Sequence, residues 1–283
     1  MKNQKVWFIT GASRGFGFDI AKAALADGDK VVATVRSKPD QLEAKLAHHQ
    51  DLLVVGLDVT NEQQVENGVQ KAIAQFGRVD VLVNNAGYGL LAATEEATDA
   101  EVRKQYDTNV FGLLNVTRAT LPHMRSQKSG HIINMSSLFG YQASTVGFGL
   151  YASTKFAVEG ITEGLALEVN PLGINVTAVA PGLFSTDFLA GDSYQPSANV
   201  LEAYEGTVGQ IRHAATQIHG NQPGDPAKLA EVVIQLANSE NPPVHLPIGK
   251  DSVAAFRNKV AKTEKEVAEW EAISSRTDHV LVK

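Results

Sequence analysis

The sequence predicts an α/β protein built on a doubly wound parallel sheet of about seven strands, with helices on both faces. Two observations carry this. Short runs rich in Val, Ile and Leu recur along the chain, and their unbroken apolar character suits strands buried on both faces. A stretch of helical period follows almost every run, and such stretches are the crossover connections that parallel strands require.

The elements follow in order. Residues 5–10, KVWFIT, are short, apolar and run into glycine, as a buried strand would. A helical pattern through Ile20, Ala24 and Leu25 stops at Gly28. Residues 31–36 form a second strand and 40–48 a polar helix. Residues 52–58 form a third strand, 62–76 a helix and 79–84 a fourth strand. The long helical region from 99 to about 125 is expected to bend or break near 109–112. Residues 131–136 give a fifth strand, 151–169 a helix and 173–180 a sixth strand. The stretch 182–226 mixes Gly, Pro, Ser and Asn with aromatics and has no clean period. A segment this long and irregular is expected to be a lid or binding loop. Asp225-Pro226-Ala227 opens a helix with a capping carboxylate and proline at the first position. Residues 244–248 read as the last strand. A charged outer helix is expected over about 250–275, docked on a single domain that spans 1–283.

Composition narrows the function. Of 283 residues, 43% are hydrophobic and 20% charged, an ordinary globular balance. The net charge of −6 argues against nucleic acid or an anionic membrane as the main partner. With no cysteine, thiol catalysis, disulfides and Cys-ligated metals are excluded, and the chain suits a reducing cytoplasm. No leader precedes the first apolar run and no 18-residue apolar span occurs, so a soluble cytoplasmic protein is expected. The eight histidines are scattered without metal-ligand spacing, and no metal site is expected. Glu95-Glu96 reads as solvated charge, and His48-His49 as helix surface.

The first βα turn, Gly11-Ala-Ser13-Arg14-Gly15-Phe16-Gly17, points to phosphate binding. Gly11 allows the tight turn, Gly15 lets backbone approach a pyrophosphate, and Gly17 lets the helix pack closely on the strand. The helix N-terminus supplies free N–H groups and a positive dipole end. The spacing is G-x-x-x-G-x-G, not the commoner G-x-G-x-x-G. The end of the second strand then discriminates between dinucleotides. A carboxylate there would bind a ribose 2′-hydroxyl, but the chain has Val35 followed by Arg36. Arg14 and Arg36 together suit a 2′-phosphate, so NADP is the expected cofactor. Asp58, at the end of the third strand, stands where an adenine edge would be read; the competing reading is a cap for the next helix. Asn84-Asn85-Ala86-Gly87 ends the fourth strand with small residues at the carboxyl edge, where open sheets bind ligands.

The chemical half is Ser137 to Lys155, which ends in Tyr-x-x-x-Lys. On a helix, Tyr151 and Lys155 lie one turn apart on one face. A free phenol with a pKa of about 10 is a poor base near neutrality, and an adjacent ammonium favours its ionised form. Tyr151 then exchanges a proton with a substrate oxygen that Ser137 also holds.

These residues resemble the short-chain dehydrogenase/reductase family. The likeness runs from Val6 to Thr186. It rests on Thr10-Gly-x-x-x-Gly15-x-Gly17, Asp58, Asn84-Asn85-Ala86-Gly87, Asn109, Ser136-Ser137, Tyr151-x-x-x-Lys155 and Pro181-Gly182-x-x-x-Thr186, all in order. The strand at 31–36, the Asn85-Ala86-Gly87-Tyr88-Gly89 run and the extended C-terminal helix resemble bacterial NADP-dependent relatives of hydroxysteroid and retinol dehydrogenases. The resemblance implies a Rossmann-type fold and a catalytic set of Asn109, Ser137, Tyr151 and Lys155. Tyr151 would be the general acid/base. Lys155 would lower its pKa and bind the nicotinamide ribose. Asn109 would hold a water joining the lysine to solvent. It also implies transfer of the pro-S hydride and a homodimer or homotetramer. Expected cofactor contacts are Gly11, Ser13, Arg14, Gly15, Phe16, Gly17, Arg36, Asp58, Val59, Asn85, Ala86, Gly87, Tyr151, Lys155, Pro181, Gly182, Phe184 and Thr186. One departure stands out. Ser137 precedes Tyr151 by one position more than the family's usual spacing, which leaves Ser136 or a later serine as alternatives.

The expected reaction interconverts a carbonyl and an alcohol on a small molecule. The expected pocket wall is Tyr88, Leu90, Leu91, Phe139, Tyr141, Phe148, Phe184 and Phe188, mostly apolar, which favours a hydrophobic substrate. Two other readings stay open on the same fold: a nucleotide-sensing regulator without turnover, and an epimerase or dehydratase, which the glycine spacing fits poorly.

Overall fold

The computed structural model describes residues 4–186, 193–218, 222–277 and 279. Its main sheet has the strands β1 (Val6–Ile9), β2 (Lys30–Val35), β3 (Leu52–Gly56), β4 (Val81–Asn84), β6 (Gly130–Met135), β7 (Ile174–Pro181) and β9 (His245–Ile248). They lie in the order β3-β2-β1-β4-β6-β7-β9, every neighbouring pair parallel. All seven expected strands are present, and the architecture is the Rossmann-type α/β fold. The chain direction across the sheet reverses between β1 and β4, so their carboxyl ends diverge into a crevice.

Helices α1 (Gly15–Ala26), α2 (Pro39–Lys45) and α8 (Pro226–Ala237) cover one face. There Ile20, Ala21 and Ala24 of α1 pack with Leu229, Ala230 and Val233 of α8 over Trp7, Ile9 and Val31. Helices α3 (Glu62–Phe76), α5 (Gly112–Gln127) and α6 (Gly149–Val169) cover the other, over Phe8, Val32, Leu82 and Ile132. Alternate residues of β1 thus feed opposite cores, as strand geometry requires. Trp7, Phe8 and Ile9 are fully buried. Burial of each contributes roughly 1.5–3 kcal/mol.

The helix signals behave as their chemistry demands. Asn61 accepts from Gln64 N to start α3, and Gly77, at φ 78°, ends it. Asp225 accepts from Ala227 N ahead of Pro226. The expected break in the long helix is a five-residue π-turn, Asp107–Phe111, between α4 (Asp99–Tyr106) and α5. Such turns place side chains that a regular helix would aim elsewhere.

Two pieces of structure were not expected. Strand β5 (Gly89–Leu91) pairs in parallel with β8 (Tyr194–Pro196) in a separate ribbon. The irregular stretch also holds α7 (Gln210–Ile218). Glu96, read as solvated, is buried instead. Its carboxylate accepts from Ala93 N and Leu201 N and pairs with Arg212 of α7. Those bonds and the guanidinium hold its pKa below the usual value against the opposing effect of burial, which is the largest single influence. The final helix, α9 (Lys250–Ser274), begins on the body, and its residues from 261 onward are exposed. Among the described residues, no helix is long and apolar enough to cross a membrane.

Candidate active site

The glycine turn after β1 has no room for side chains where the chain doubles back. Gly11 has φ 65°, and a Cβ there would lie 2.9 Å from Ala86 Cα. A Cβ on Gly17 would lie 2.5 Å from Asn85 Nδ2. Asn85 stitches the turn to the end of β4: its Nδ2 donates to the carbonyls of Thr10 and Gly11 at 2.9 and 3.0 Å. Thr10 Oγ1 in turn accepts from the amides of Asn85 and Ala86. Thr10 therefore shapes the turn through its hydroxyl, a role that the glycine pattern alone does not reveal.

Beyond this turn lies a cavity of about 710 Å³ at the carboxyl edge of the sheet. Every expected cofactor contact except Gly17 lines it; Gly17 packs behind the turn. Arg14 and Arg36 share its rim with Ser37 and Asp58. Arg14 Nη2 donates to Ser193 Oγ at 2.8 Å, across to the stretch after β7. Asp58 Oδ1 accepts from Thr60 N and Oγ1 at 2.9 and 2.8 Å. It therefore holds its own turn, while Asn61 caps the helix. Phe16 meets Phe184 edge-on, ring centroids 5.4 Å apart. The close backbone at Gly11, the open helix N-terminus and the two guanidinium groups fit a dinucleotide phosphate chain.

Tyr151 and Lys155 lie on the buried face of α6, and Ser137 stands at the exit of β6 as the cap of a 3₁₀ turn, Leu138–Gly140. Ser137 is the serine that hydrogen-bonds the Tyr151 hydroxyl, so the longer spacing is taken up between 138 and 150. The Tyr151 ring packs edge-on against Phe139 and Phe148, with centroids 6.1 and 6.3 Å away. Burial pushes its phenol pKa up, and the Ser137 hydrogen bond acts in the opposite direction. This corrects the expected lowering by Lys155: burial prevails, and the phenol is protonated at neutral pH. Lys155 Nζ lies 5.7 Å from the Tyr151 ring centroid and donates to Met135 O at 2.7 Å. Burial pushes its pKa down to about 8, and Glu159 acts in the other direction.

Asn109, aimed inward by the π-turn, is 2% exposed. Its Oδ1 accepts from Tyr88 N, and its Nδ2 donates to Tyr88 O and Thr154 Oγ1. Gly87 shows what its oxygen faces. A Cβ there would lie 3.0 Å from Asn109 Oδ1 and 3.8 Å from Lys155 Nζ, so the two groups border one small space.

The expected apolar wall is partly right. Phe139, Phe148 and Phe184 line the cavity, as does Tyr88, whose phenol pKa is pushed up to about 12 by burial and by Asp107 and Glu101, with Arg36 opposing. Leu90 and Leu91 are fully buried in the core. Tyr141 turns away and stacks on Phe256 of α9, with centroids 3.9 Å apart. Phe188 lies outside the described residues. Ser193, Gln195, Ile211, Ala214 and Gln222 complete the wall from the stretch after β7. The first turn of α9 braces the same edge: Asp251 Oδ2 accepts from Leu183 N at 2.6 Å, and Ser252 Oγ donates to Ala180 O at 2.7 Å.

Residues 5–196 match the family model for short chain dehydrogenase, and the chain belongs to that family. It is an oxidoreductase acting on CH–OH groups with a nicotinamide dinucleotide, NAD or NADP. It is 41% identical over 251 residues to oxidoreductase BOA17 of Botryotinia fuckeliana, covering 88% of this chain and 90% of that protein. It is 38% identical to a 3-ketodihydrosphingosine reductase of Bacteroides thetaiotaomicron, covering 87% and 88%. A short-chain dehydrogenase structure from Streptomyces avermitilis superposes with a TM-score of 0.89 at 39% identity, covering 99% and 100%. ElxO with NADP bound gives 0.72 at 29% identity, covering 89% and 99%. A 3-ketoacyl-(acyl-carrier-protein) reductase from Brucella melitensis complexed with NADH gives 0.72 at 28%, covering 86% and 96%.

Proposed function

We propose that the protein is an NADPH-dependent reductase of hydrophobic ketones or aldehydes, reversible to alcohol oxidation, with Tyr151 as general acid/base. The observation that carries this is the buried Ser137–Tyr151 pair beside Lys155, on the same cavity as the glycine turn, Arg14 and Arg36. Arg14 and Arg36 receive the 2′-phosphate, and Val35 leaves no carboxylate to repel it. Bound dinucleotide supplies hydride to the carbonyl carbon. Ser137 and Tyr151 hold the carbonyl oxygen as charge grows on it, and Tyr151, protonated at neutral pH, donates its proton there. Lys155 binds the nicotinamide ribose and steadies the developing phenolate. Asn109 Oδ1 holds a water beside Gly87 that returns protons through Lys155. Pro181, Gly182 and Thr186 would hold the nicotinamide end, and Asp58 and Val59 the adenine end.

Phe139, Phe148, Leu183 and Ile211 favour an apolar substrate body. The likeness to a 3-ketodihydrosphingosine reductase points the same way, and within the family we place the chain near the hydroxysteroid and retinol dehydrogenases. Residues 182–226 act as the lid of a single domain. The chain works as a homo-oligomer that covers Phe111, Phe156 and Leu167, which stand 54%, 42% and 82% exposed. The test is NADPH oxidation across a carbonyl panel, run beside Tyr151→Phe. The variant should keep its melting temperature and lose about 10²–10⁴-fold in kcat. Full activity in the variant would remove Tyr151 from the mechanism.

A further inference from the structure

Helix α9 carries a stripe that the body of the chain uses only in part. Val253, Phe256, Val260, Thr263, Val267 and Trp270 recur at alternating steps of three and four, the spacing by which helices pair along a seam. Phe256 stacks on Tyr141 and so belongs to the body. Val260 and Thr263 line a second cavity, of about 460 Å³, between α6 and α9, with Phe156 and Gly160 across it. Val267 and Trp270 lie farther out, where every residue from 261 to 274 is exposed. Val260, Val267, Trp270 and Ile273 each stand more than half exposed. A helix of about 12–15 residues is marginal alone in water. The exposed pairs Lys262–Glu266 and Lys265–Glu269, at 3.7 and 3.8 Å, add little to it.

The charges along α9 select what covers the stripe. Lys250, Arg257, Lys259 and Lys262 make its first half basic, against Asp251 alone. Glu264, Glu266, Glu269 and Glu271 make its second half acidic, against Lys265 alone. Glu271 lies in the last turn, at the negative end of the helix dipole, which a lone helix disfavours. Two copies of this stripe can meet in parallel or antiparallel. Parallel pairing sets basic against basic and acidic against acidic. Antiparallel pairing sets the basic half of each copy against the acidic half of the other, and a two-fold axis generates it from one chain.

We propose that α9 is a dimerisation arm, its stripe from Val260 to Trp270 pairing antiparallel with the same stripe of a second copy of this chain. Val267 and Trp270 of each copy then reach the level of Val260 and Thr263 of the other, at the mouth of the cavity beside α6. The rim of that cavity carries Glu163 and Glu264, acceptors for an indole N–H, which is a donor only. The proposal rests on the reading of the chain as a homo-oligomer and names a contact separate from Phe111 and Leu167.

The test uses two full-length variants. One carries Arg257→Glu, Lys259→Glu and Lys262→Glu, and its arm is acidic throughout. The other carries Glu266→Lys, Glu269→Lys and Glu271→Lys, and its arm is basic throughout. In sedimentation equilibrium over a dilution series, wild type should self-associate, and each variant alone should do so about tenfold or more weakly, because like charges now face each other. An equimolar mixture of the two should recover association, a result that misfolding or fraying of the arm does not produce. A mixture no tighter than either variant alone overturns the proposal. Wild-type protein supplies a second readout. The chain has two tryptophans, and Trp7 is fully buried in the core. Acrylamide quenching of Trp270, assigned by its loss in Trp270→Phe, should fall as wild type associates. Wild type that associates with Trp270 still open to acrylamide refutes the arm and leaves the homo-oligomer standing. Wild type that is a monomer at every concentration refutes both.

Discussion

Asn109 grips Tyr88 at both of its backbone polar groups, accepting from its amide at 3.0 Å and donating to its carbonyl at 2.9 Å. The other Nδ2 hydrogen goes to Thr154 Oγ1 at 3.1 Å, on the helix that carries Tyr151. One side chain thus joins the segment after β4, the π-turn and α6.

Asn109→Ala leaves the buried Tyr88 amide without its partner, while the Tyr88 carbonyl keeps the bond from Gln105 Nε2 at 3.3 Å. One such group costs about 1–3 kcal/mol, and that is the loss expected in urea unfolding. The loosened frame should also lower kcat by about 10–10²-fold, because misplacement near 1 Å carries that penalty. Wild-type kcat in a folded variant would show that the frame tolerates its loss.

Arg36 stands exposed at the cavity rim with Arg14. Arg36→Ala should weaken NADPH binding by about 10–10²-fold, the loss expected of a charge-assisted contact. NADH has no 2′-phosphate, and its affinity should change by less than about twofold. Titration of nicotinamide fluorescence separates the two; equal losses would place the 2′-phosphate elsewhere.

Glu96 and Arg212 form a buried pair, with side chains 0% and 14% exposed. Removing one partner of such a pair typically costs about 3–5 kcal/mol. Glu96→Ala should show that loss in denaturant unfolding. Because the pair ties α7 to the segment after β5, limited proteolysis should also cut the variant sooner within 193–218.

His131 is buried against Thr177 Oγ1 at 2.9 Å, and burial, with help from Lys5, pushes its pKa down to about 4 from 6.5. Between these values the unfolded chain binds a proton that the folded chain refuses. Stability from this group is therefore full above pH 6.5 and is lost as pH falls to about 4, by up to about 3 kcal/mol. His131→Gln should flatten that part of the acid limb in urea midpoints measured against wild type.

Much of this architecture is legible in the residues because it follows from local rules. Apolar runs give all seven sheet strands, and Asp225-Pro226 marks a helix start by its own chemistry; the cap at Asn61, just past the expected candidate Asp58, is not read from the residues. Residues 109–112 announce a break, but the π-turn type depends on packing: a Cβ on Gly112 would lie 2.6 Å from Val59 Cγ2. What is not legible depends on distant partners. Glu96 resembles any surface glutamate until Arg212, 116 positions later, is beside it. Tyr141 looks like pocket wall until Phe256 stacks on it. The strand pairing at 89–91 needs 194–196, and three-residue strands leave little periodic signal. The direction of the Tyr151 pKa is likewise a matter of surroundings, because burial depends on Phe139 and Phe148 more than on the Tyr-x-x-x-Lys spacing.

The contacts from Asp251 and Ser252 to Leu183 and Ala180 divide α9 into two parts with different tolerance to cutting. Beyond about residue 261 the helix is exposed throughout, so shortening or fusing the chain there leaves the cavity edge intact. A cut ahead of Lys250 removes the acceptor for Leu183 N and the donor to Ala180 O, and with them the brace at the carboxyl end of β7. The outer turns of α9 stand in solvent, whereas the first turn of that same helix is a strut behind the cavity edge.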